Sequence, residues 1–252
     1  MAYRLDLQYD GSDFHGWAKQ PGLETVEGAL ETAFTILLRE TPRLTVAGRT
    51  DTGVHARRQV VSLELPRGLG VAPLVRSLNS LTPPGLAVTG LCPMPGGFDA
   101  RRDALARSYR YFIWRGAAAD PFRRRFVWHV PGEIDFARLQ AAAALVPGRH
   151  DFKAFTPTET EHILFARTVH ACRWRCRGPL VWLEIEAQSF LRHMVRSLVG
   201  TMVEIAAGRS EPGSMAWLLE GAAREAAGPT APPHGLFLWR IRYPAERGSG
   251  AA

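Results

Sequence analysis

The chain is organised around one stretch, Val46-Ala47-Gly48-Arg49-Thr50-Asp51-Thr52-Gly53-Val54-His55-Ala56. An apolar run leads into two glycines that bracket an arginine, an aspartate and two threonines. The pattern is typical of a strand that ends in a tight loop, because glycine permits unusual backbone angles. Rigid scaffolds display reactive groups on such loops. Arg49 could therefore keep the Asp51 carboxylate ionised and aimed, or Asp51 could simply bond nearby backbone amides in a polar turn.

The patterns around this loop predict a strand-helix-strand order, twice, in the first half. Alternating apolar residues from Tyr3 to Tyr9 indicate a half-buried strand. Thr25 is placed to cap an amphipathic helix over residues 26–38. Further strands are expected at residues 44–48, 61–65 and 86–91, with a helix at residues 73–81 between the last two.

The second half repeats this order. Tyr109, Tyr111 and Ile113 share one strand face, and Asp135 caps a helix that runs to residue 145. Strands are predicted at residues 167–176 and 181–187, joined by a hairpin turn at Gly178. A long helix at 190–207, a short one at 214–222 and a closing strand at 236–243 follow.

Two βαββαβ units predict an α+β fold with two ferredoxin-like halves, each with a mainly antiparallel sheet. The expected domains are residues 1–104, which carry the Asp51 loop, and residues 105–244. Residues 245–252 are expected to form a flexible tail. We expect the active-site cleft to lie between the two halves.

The composition of the chain is basic and rich in arginine. The chain has 252 residues and a net charge of +7, from 31 Lys plus Arg against 24 Asp plus Glu. Lys19 and Lys153 are the only lysines, so nearly all the positive charge is arginine. Arginine suits bidentate phosphate contacts and base stacking, which modestly favours a nucleic-acid partner.

Cysteine spacing argues against a metal site or a disulfide framework. Cys172 and Cys176 lie in one predicted strand, where four residues span roughly 13 Å. One ion cannot join them there, and two thiolates are too few for structural zinc. The beginning of the chain has no apolar signal region, and no apolar run approaches membrane-spanning length. We therefore expect reduced thiols, no metal, no membrane contact and a cytoplasmic location.

Arg196 is the second residue with a chemical signal. It shares the polar side of the predicted long helix with Arg192 and His193, and Gly200 follows one turn later. A glycine there permits close approach of another backbone or a ligand. Arg196 either needs a carboxylate or phosphate partner or extends to solvent, and the pattern does not decide between the two.

Four segments in a fixed order resemble the TruA-type tRNA pseudouridine synthases. They are residues 9–17 (YDGSDFHGW), 48–56 (GRTDTGVHA), 107–111 (RSYRY) and 190–200 (FLRHMVRSLVG). The resemblance runs from Tyr3 to Tyr243. Four ordered motifs are a specific signal, whereas any one alone would be weak.

The resemblance implies uridine-to-pseudouridine isomerisation at positions 38, 39 and 40 of the tRNA anticodon stem-loop, by a homodimer without cofactor or metal. Asp51 is then the nucleophile or base, and Arg196 is paired with it. Tyr109 packs against the target base and is a candidate for removing the proton at C5. The implied substrate-binding residues are Arg49, Tyr109, Phe14, His55 and Leu236.

The chain departs from the family pattern at Ala18, at Asp99 and over residues 156–166. These changes bear on local RNA contacts rather than on Asp51. The residues alone leave two other functions open. One is a non-catalytic RNA-binding protein with RRM-like halves, although the RRM aromatic signature is missing. The other is a hydrolase with Asp51 as base, which would need a second carboxylate or a metal cluster.

Overall fold

The structure is a computed structural model that describes residues 1–160 and 162–244. The predicted tail, residues 245–252, lies outside the described residues. The first part of the chain forms β1 (Ala2–Tyr9), α1 (Val26–Leu38), β2 (Thr45–Val46), β3 (His55–Glu64), α2 (Val71–Leu81) and β4 (Leu86–Pro93). The second part forms β5 (Ala106–Trp114), β6 (Trp128–His129), α3 (Phe136–Ala144), β7 (Gly148–Asp151), β8 (Ala166–Arg177), β9 (Leu180–Ala187), α4 (Met194–Ala206), α5 (Ser214–Leu218) and β10 (Leu236–Arg242).

Local sequence signals account for several of these boundaries. The Thr25 side chain accepts a hydrogen bond from the amide of Gly28 at the start of α1. Asp135 accepts from two amides in the first turn of α3. Gly178 has a φ of 57° between β8 and β9, in the left-handed region that glycine adopts without strain. The predicted caps and the predicted hairpin are therefore confirmed.

In the described residues, ten strands form one sheet with the order β4-β1-β3-β10-β5-β9-β8-β7, while β2 pairs with β3 and β6 with β5. Neighbouring strands are antiparallel, except that β10 is parallel to β3 and β6 is parallel to β5. The predicted mixture of helices with a mostly antiparallel sheet is confirmed. The strands of the two halves are joined edge to edge through β3 and β10, so one sheet passes from one half to the other.

The core lies against one face of this sheet. Tyr9 pairs with Ala56, Ala56 with Leu238, and Leu238 with Tyr109. Directly paired residues project from the same face, and these four are buried. Helices pack against the strands, with α2 on β4, α3 on β8 and α4 on β5. Tyr109 and the loop before β3 consequently belong to one continuous side of the molecule.

Two helix boundaries differ from the sequence prediction. The long helix begins at Met194, so the predicted start at residue 190 was wrong. Phe190 and Leu191 lie in an irregular loop, and their apolar side chains pack into the protein from there. The Phe190 ring meets the Tyr109 ring edge-on, with 5.1 Å between the ring centroids. The predicted helix at 214–222 ends at Leu218. Gly221 follows with a φ of +94°, which a helix cannot accommodate.

Candidate active site

The Asp51 loop connects β2 to β3, and the loop that follows β1 packs against its backbone. A Cβ atom on Gly11 would lie 2.1 Å from the Val54 carbonyl oxygen. Gly16 has a φ of +85°, and a Cβ there would lie 2.8 Å from the Thr50 oxygen. Since real Cβ atoms do not approach so closely, both positions require glycine if the Asp51 loop is to keep its place.

Buried side chains hold the same loop from beneath. Gln59 Nε2 donates to the Gly48 carbonyl at 2.8 Å and to the Tyr9 hydroxyl at 3.2 Å. The Tyr9 hydroxyl in turn lies 2.8 Å from Thr50 Oγ1. Burial raises the pKa of Tyr9 to about 12, so its hydroxyl stays protonated and keeps this network neutral at physiological pH.

Arg107, on β5, ties the Asp51 loop to the other half of the protein. Its guanidinium donates to the carbonyls of Ala47, Ala104, Gln188 and Arg101 at 2.6–3.1 Å. The side chain is buried and has no carboxylate partner among the described residues. Burial lowers its pKa from the usual 12.5. Four backbone carbonyls therefore fix one charged group at the junction of the two halves.

Two side chains from the start of α4 approach the Asp51 carboxylate. Arg196 Nη1 and His193 Nε2 each lie 3.6 Å from the same oxygen, Asp51 Oδ2. The carboxylate is 32% exposed, whereas Arg196 is only 14% exposed. Arg196 is steadied by a 2.8 Å hydrogen bond from its Nε to the Ala231 carbonyl. The structure thus brings an accessible carboxylate of one half to a sheltered guanidinium of the other.

Gly200 explains how α4 comes so close to the segment that carries Ala231. A Cβ on Gly200 would lie 1.7 Å from the Pro229 carbonyl oxygen. The prediction that this glycine permits close approach is confirmed, and another stretch of backbone takes the space. The contact sets the depth of α4 and with it the position of Arg196.

The surroundings set different charge states for the two α4 side chains. Burial lowers the pKa of Arg196 while the Asp51 charge raises it, and a group with an ordinary pKa of 12.5 remains protonated at pH 7. Burial also lowers the pKa of His193, and Arg196, Arg192 and Arg224 lower it further against the opposing effect of Asp51. His193 is therefore neutral at pH 7.

Tyr109 completes the group around Asp51. Its ring is buried, and its hydroxyl lies 3.9 Å from the position that a Cβ on Gly48 would occupy. Burial raises the pKa of Tyr109, and the neighbouring Tyr9 and Asp51 raise it further against the opposing effect of Arg107. No described residue accepts a hydrogen bond from this hydroxyl, which is therefore a protonated donor without a partner inside the protein.

Comparison with known proteins places this arrangement in a family. Residues 141–244 match the family described as tRNA pseudouridine synthase. The chain is 36% identical over 245 residues to tRNA pseudouridine synthase A of Bacillus licheniformis, covering 96% of this chain and 99% of that protein. It is 41% identical over 244 residues to the Acidiphilium cryptum enzyme of the same name, covering 96% of each. The chain belongs to the tRNA pseudouridine synthase A family.

Another relative and one solved structure complete the comparison. The Roseiflexus sp. (strain RS-1) tRNA pseudouridine synthase A is 40% identical over 251 residues, covering 98% of this chain and 92% of that protein. A crystal structure of a Cbf5-Nop10-Gar1 complex matches with a TM-score of 0.37 and 11% identity, covering 93% of this chain and 57% of that one. A score this low does not establish a shared fold.

Arg49, which was predicted to bind the substrate, lies at the exposed edge of the Asp51 loop. Its side chain is exposed, and no described residue forms a hydrogen bond or ion pair with it. It is two residues from Asp51 but does not pair with it. The cation that approaches Asp51 is Arg196, and the Arg49 guanidinium remains available to an external group.

Phe14 and His55, which the resemblance implied as substrate contacts, lie inside the protein. His55 is fully buried, its Nδ1 accepts from the Gly11 amide at 3.0 Å, and its Nε2 donates to the His234 carbonyl at 3.0 Å. Burial lowers the pKa of His55, consistent with a neutral ring. Phe14 is 3% exposed. Both side chains support the Asp51 loop from within and offer no free surface to a substrate in this conformation.

Leu236 is also in the core. It is 5% exposed and pairs with Tyr111 across β10 and β5. The Tyr111 hydroxyl donates to the Pro232 carbonyl at 2.8 Å, just before Leu236 in the chain. Leu236 is therefore a core residue beside Tyr111 and offers little surface to a substrate in this conformation.

Sequence reasoning missed the roles of three residues. The sequence pattern places His193 only on the polar side of the predicted long helix, and its approach to Asp51 has no signal in the spacing. Arg107 lies in one of the motif segments, but its structural role has no sequence signal because its acceptors are backbone carbonyls. Gln59 lies before the strand predicted at 61–65, and only the longer observed strand β3 (His55–Glu64) brings it under the Asp51 loop.

Two kinds of feature are missing from residues 1–160 and 162–244. No group of three or more His, Cys, Asp or Glu side chains there could hold a metal ion. No helix in the same residues is long and apolar enough to cross a membrane. Cys172 and Cys176 both lie in β8, as predicted, without a disulfide.

Proposed function

We propose that the protein isomerises uridine to pseudouridine in tRNA, with Asp51 as nucleophile or base. The observation that carries this proposal is an accessible carboxylate on a braced loop, 3.6 Å from the sheltered Arg196 guanidinium. The reaction breaks the bond from uracil N1 to ribose C1′, turns the base and joins C5 to C1′. It adds and removes no atoms overall. One positioned carboxylate is thus enough to supply the protein's covalent or proton-transfer step.

The target uridine must leave its stack before the base can turn. Extruding a base costs a few kcal/mol, which contacts to the flipped nucleotide must offset. Arg49 is suited to this task because its guanidinium is exposed and unpaired among the described residues. It holds the nucleotide by a phosphate or occupies the space that the base vacates. The targets are uridines 38, 39 and 40 of the anticodon stem-loop.

Tyr109 packs against the extruded base, and its hydroxyl, which has no acceptor among the described residues, donates a hydrogen bond to the nucleotide. Its raised pKa disfavours a phenolate at neutral pH, so the hydroxyl is a better donor than base. Removal of the C5 proton by Tyr109 would need a second group to take the phenolic proton. The raised pKa thus favours a stacking and orienting role.

The architecture follows a duplicated plan, with an N-terminal unit over residues 1–104 and a C-terminal unit over residues 105–244. In the first unit the sheet order is β4-β1-β3-β2, and in the second it is β10-β5-β9-β8. Both correspond to the ferredoxin-like order, in which the first strand lies between the last and the third. The cleft between the units holds the site, with Asp51 from one unit and Tyr109 and Arg196 from the other.

The partner is tRNA, recognised by shape and phosphate charge by a chain whose net charge is +7. The protein acts as a homodimer, which lets one tRNA contact both subunits. Its location is cytoplasmic, where tRNA substrates are found. These three statements rest on charge and on family membership.

The direct test is to incubate the purified protein with unmodified tRNA transcripts and to map pseudouridine at single-nucleotide resolution. We expect pseudouridine at positions 38–40 and unchanged uridine elsewhere. Binding without any pseudouridine would contradict the proposal and favour a non-catalytic RNA-binding protein. Pseudouridine at other positions alone would keep the chemistry and overturn the assigned targets.

A further inference from the structure

His193 and Arg196 converge on a single oxygen of Asp51, but only one of them is permanently charged. Both approach Asp51 Oδ2 at 3.6 Å, a distance that is too long for a strong hydrogen bond. The His193 side chain is 24% exposed, so it lies at the mouth of the site, whereas Arg196 lies deeper. The imidazole is therefore a second neighbour of the carboxylate, on the side that a substrate would reach first.

The backbone at His193 is built in an unusual way. The residue has a φ of 61° and a ψ of −2°, the left-handed conformation that residues other than glycine, asparagine and aspartate seldom adopt. It forms the N-cap of α4, yet its side chain caps no amide. Its carbonyl accepts from the Ser197 amide at 2.9 Å, and Thr156 Oγ1 donates to the carbonyl of Arg192 at 3.1 Å. The side chain is thus free of any capping task and is directed to Asp51.

The charges that face His193 come from three elements. Asp51 lies on the loop before β3, Arg192 and Arg196 flank His193 at the start of α4, and Arg224 faces it from the 3-10 turn at Arg224–Ala226. Three guanidinium groups and burial disfavour the imidazolium, and one carboxylate favours it. The pKa of His193 consequently lies below its usual value of 6.5. At pH 7 the Asp51 carboxylate has one cationic neighbour and one neutral neighbour.

We infer that His193 is a positioning residue that keeps Asp51 reactive only while its imidazole is neutral. In that form its ring limits the rotation of the carboxylate, and the other oxygen, Oδ1, is left for the flipped nucleotide. When the imidazole gains a proton, it becomes a second cation beside Asp51 Oδ2, and the doubly paired carboxylate is a weaker nucleophile and a weaker base. This inference rests on the proposed function, since it concerns the reactivity of Asp51.

The test is the pH profile of the single-turnover rate constant for pseudouridine formation in saturating enzyme, from about pH 5 to about pH 8. Two variants keep the left-handed backbone, because asparagine and glycine both tolerate positive φ. His193→Asn retains a neutral side chain that can hydrogen-bond but cannot titrate. His193→Gly removes the side chain. His170→Asn is the matched control, because His170 is exposed on β8.

We expect the wild-type rate constant to fall on acidification with unit slope, about tenfold per pH unit below the ionisation. His193→Asn should lose this acid limb, so that its rate constant at about pH 5 equals its own rate constant at about pH 7. His193→Gly should lower the neutral-pH rate about tenfold without weakening tRNA binding. The His170→Asn profile should match the wild type.

Two results would overturn the inference alone, namely superimposable profiles for wild type and His193→Asn, or a full rate in His193→Gly. Thermal unfolding of each variant verifies that the comparison is made on folded protein. If the wild-type protein forms no pseudouridine at any pH, the proposed function itself fails, and this inference fails with it. The outcomes are therefore distinguishable.

Discussion

The two sides of the Asp51 loop differ in burial and in how closely their side chains are hydrogen-bonded. The floor, defined as Tyr9, Gln59 and Arg107, is buried and closely hydrogen-bonded, with donor–acceptor distances of 2.6–3.2 Å. The rim, defined as Arg49, Asp51, His193 and Arg196, holds one carboxylate at 3.6 Å from its neighbours, and Arg49 has no described partner. The floor side chains fix the backbone of the loop. The rim side chains make only long contacts or none, so they can still bind a nucleotide.

The largest expected effect comes from the rim carboxylate. Asp51→Asn keeps the shape of the side chain and removes its charge and nucleophilicity. We expect tritium release from tRNA labelled at uridine C5 to fall by at least about a thousandfold, with tRNA affinity within about threefold of wild type. Tritium release near the wild-type rate would show that Asp51 takes no part in the chemistry and that the rim is not the reactive side of the loop.

The next effect concerns the guanidinium that steadies Asp51. Arg196→Met should lower kcat by about a hundredfold, because the carboxylate loses its charged partner in a sheltered site. Arg196→Lys should recover part of this loss, since it restores charge without the bond to Ala231. The matched control is Arg192→Met, at an exposed position four residues earlier in the chain, just before α4. An equal loss of kcat in that control would show that the loss of any positive charge near Asp51 lowers kcat, and that the position of Arg196 has no special role.

A smaller effect, on stability, is expected from the floor. Arg107→Met leaves buried carbonyls without their donor, so the free energy of unfolding should fall by about 2–4 kcal/mol. The measurement is urea denaturation, with Arg58→Met as the control because Arg58 is exposed on β3. Similar destabilisation in both variants would mean that Arg107 is not the junction between the two halves.

The smallest effect is expected at the exposed end of the rim. Arg49→Ala should weaken tRNA binding about tenfold and reduce the slope of log K against log salt by about one, as expected for the loss of one phosphate contact. Arg67→Ala is the control, because Arg67 follows the far end of β3 and is exposed. An unchanged salt slope in Arg49→Ala would assign Arg49 to the vacated base stack rather than to a phosphate.

Much of the fold could be predicted because local signals and tertiary packing agree. Thr25 and Asp135 cap helices where their side chains predict caps. The start of α4 could not be read from the sequence, since the burial of Leu191 arises from loop packing and its apolar character looks like helical spacing. The joining of β3 to β10 in parallel also has no sequence signal, because strand pairing between distant segments depends on the whole fold.

The sequence pattern singled out Asp51 and Arg196 but left a second interpretation open for each. The family resemblance implied that they pair, and the structure places Arg196 Nη1 3.6 Å from Asp51 Oδ2. His193 reaches Asp51 through a left-handed backbone conformation that no sequence pattern announces. Conversely, His55 and Phe14 lie in motif segments and are buried in this conformation, where His55 bonds to the Gly11 amide of the neighbouring loop.

The most direct test of the central claim is a crystal structure of the Asp51→Asn variant bound to an unmodified tRNA. The account predicts that the target uridine is extruded and stacked on Tyr109, with its ribose C1′ or its uracil ring within about 3.5 Å of the side chain at position 51. A target uridine that stays stacked in the anticodon stem-loop, with position 51 and Arg196 remote from it, would contradict the account.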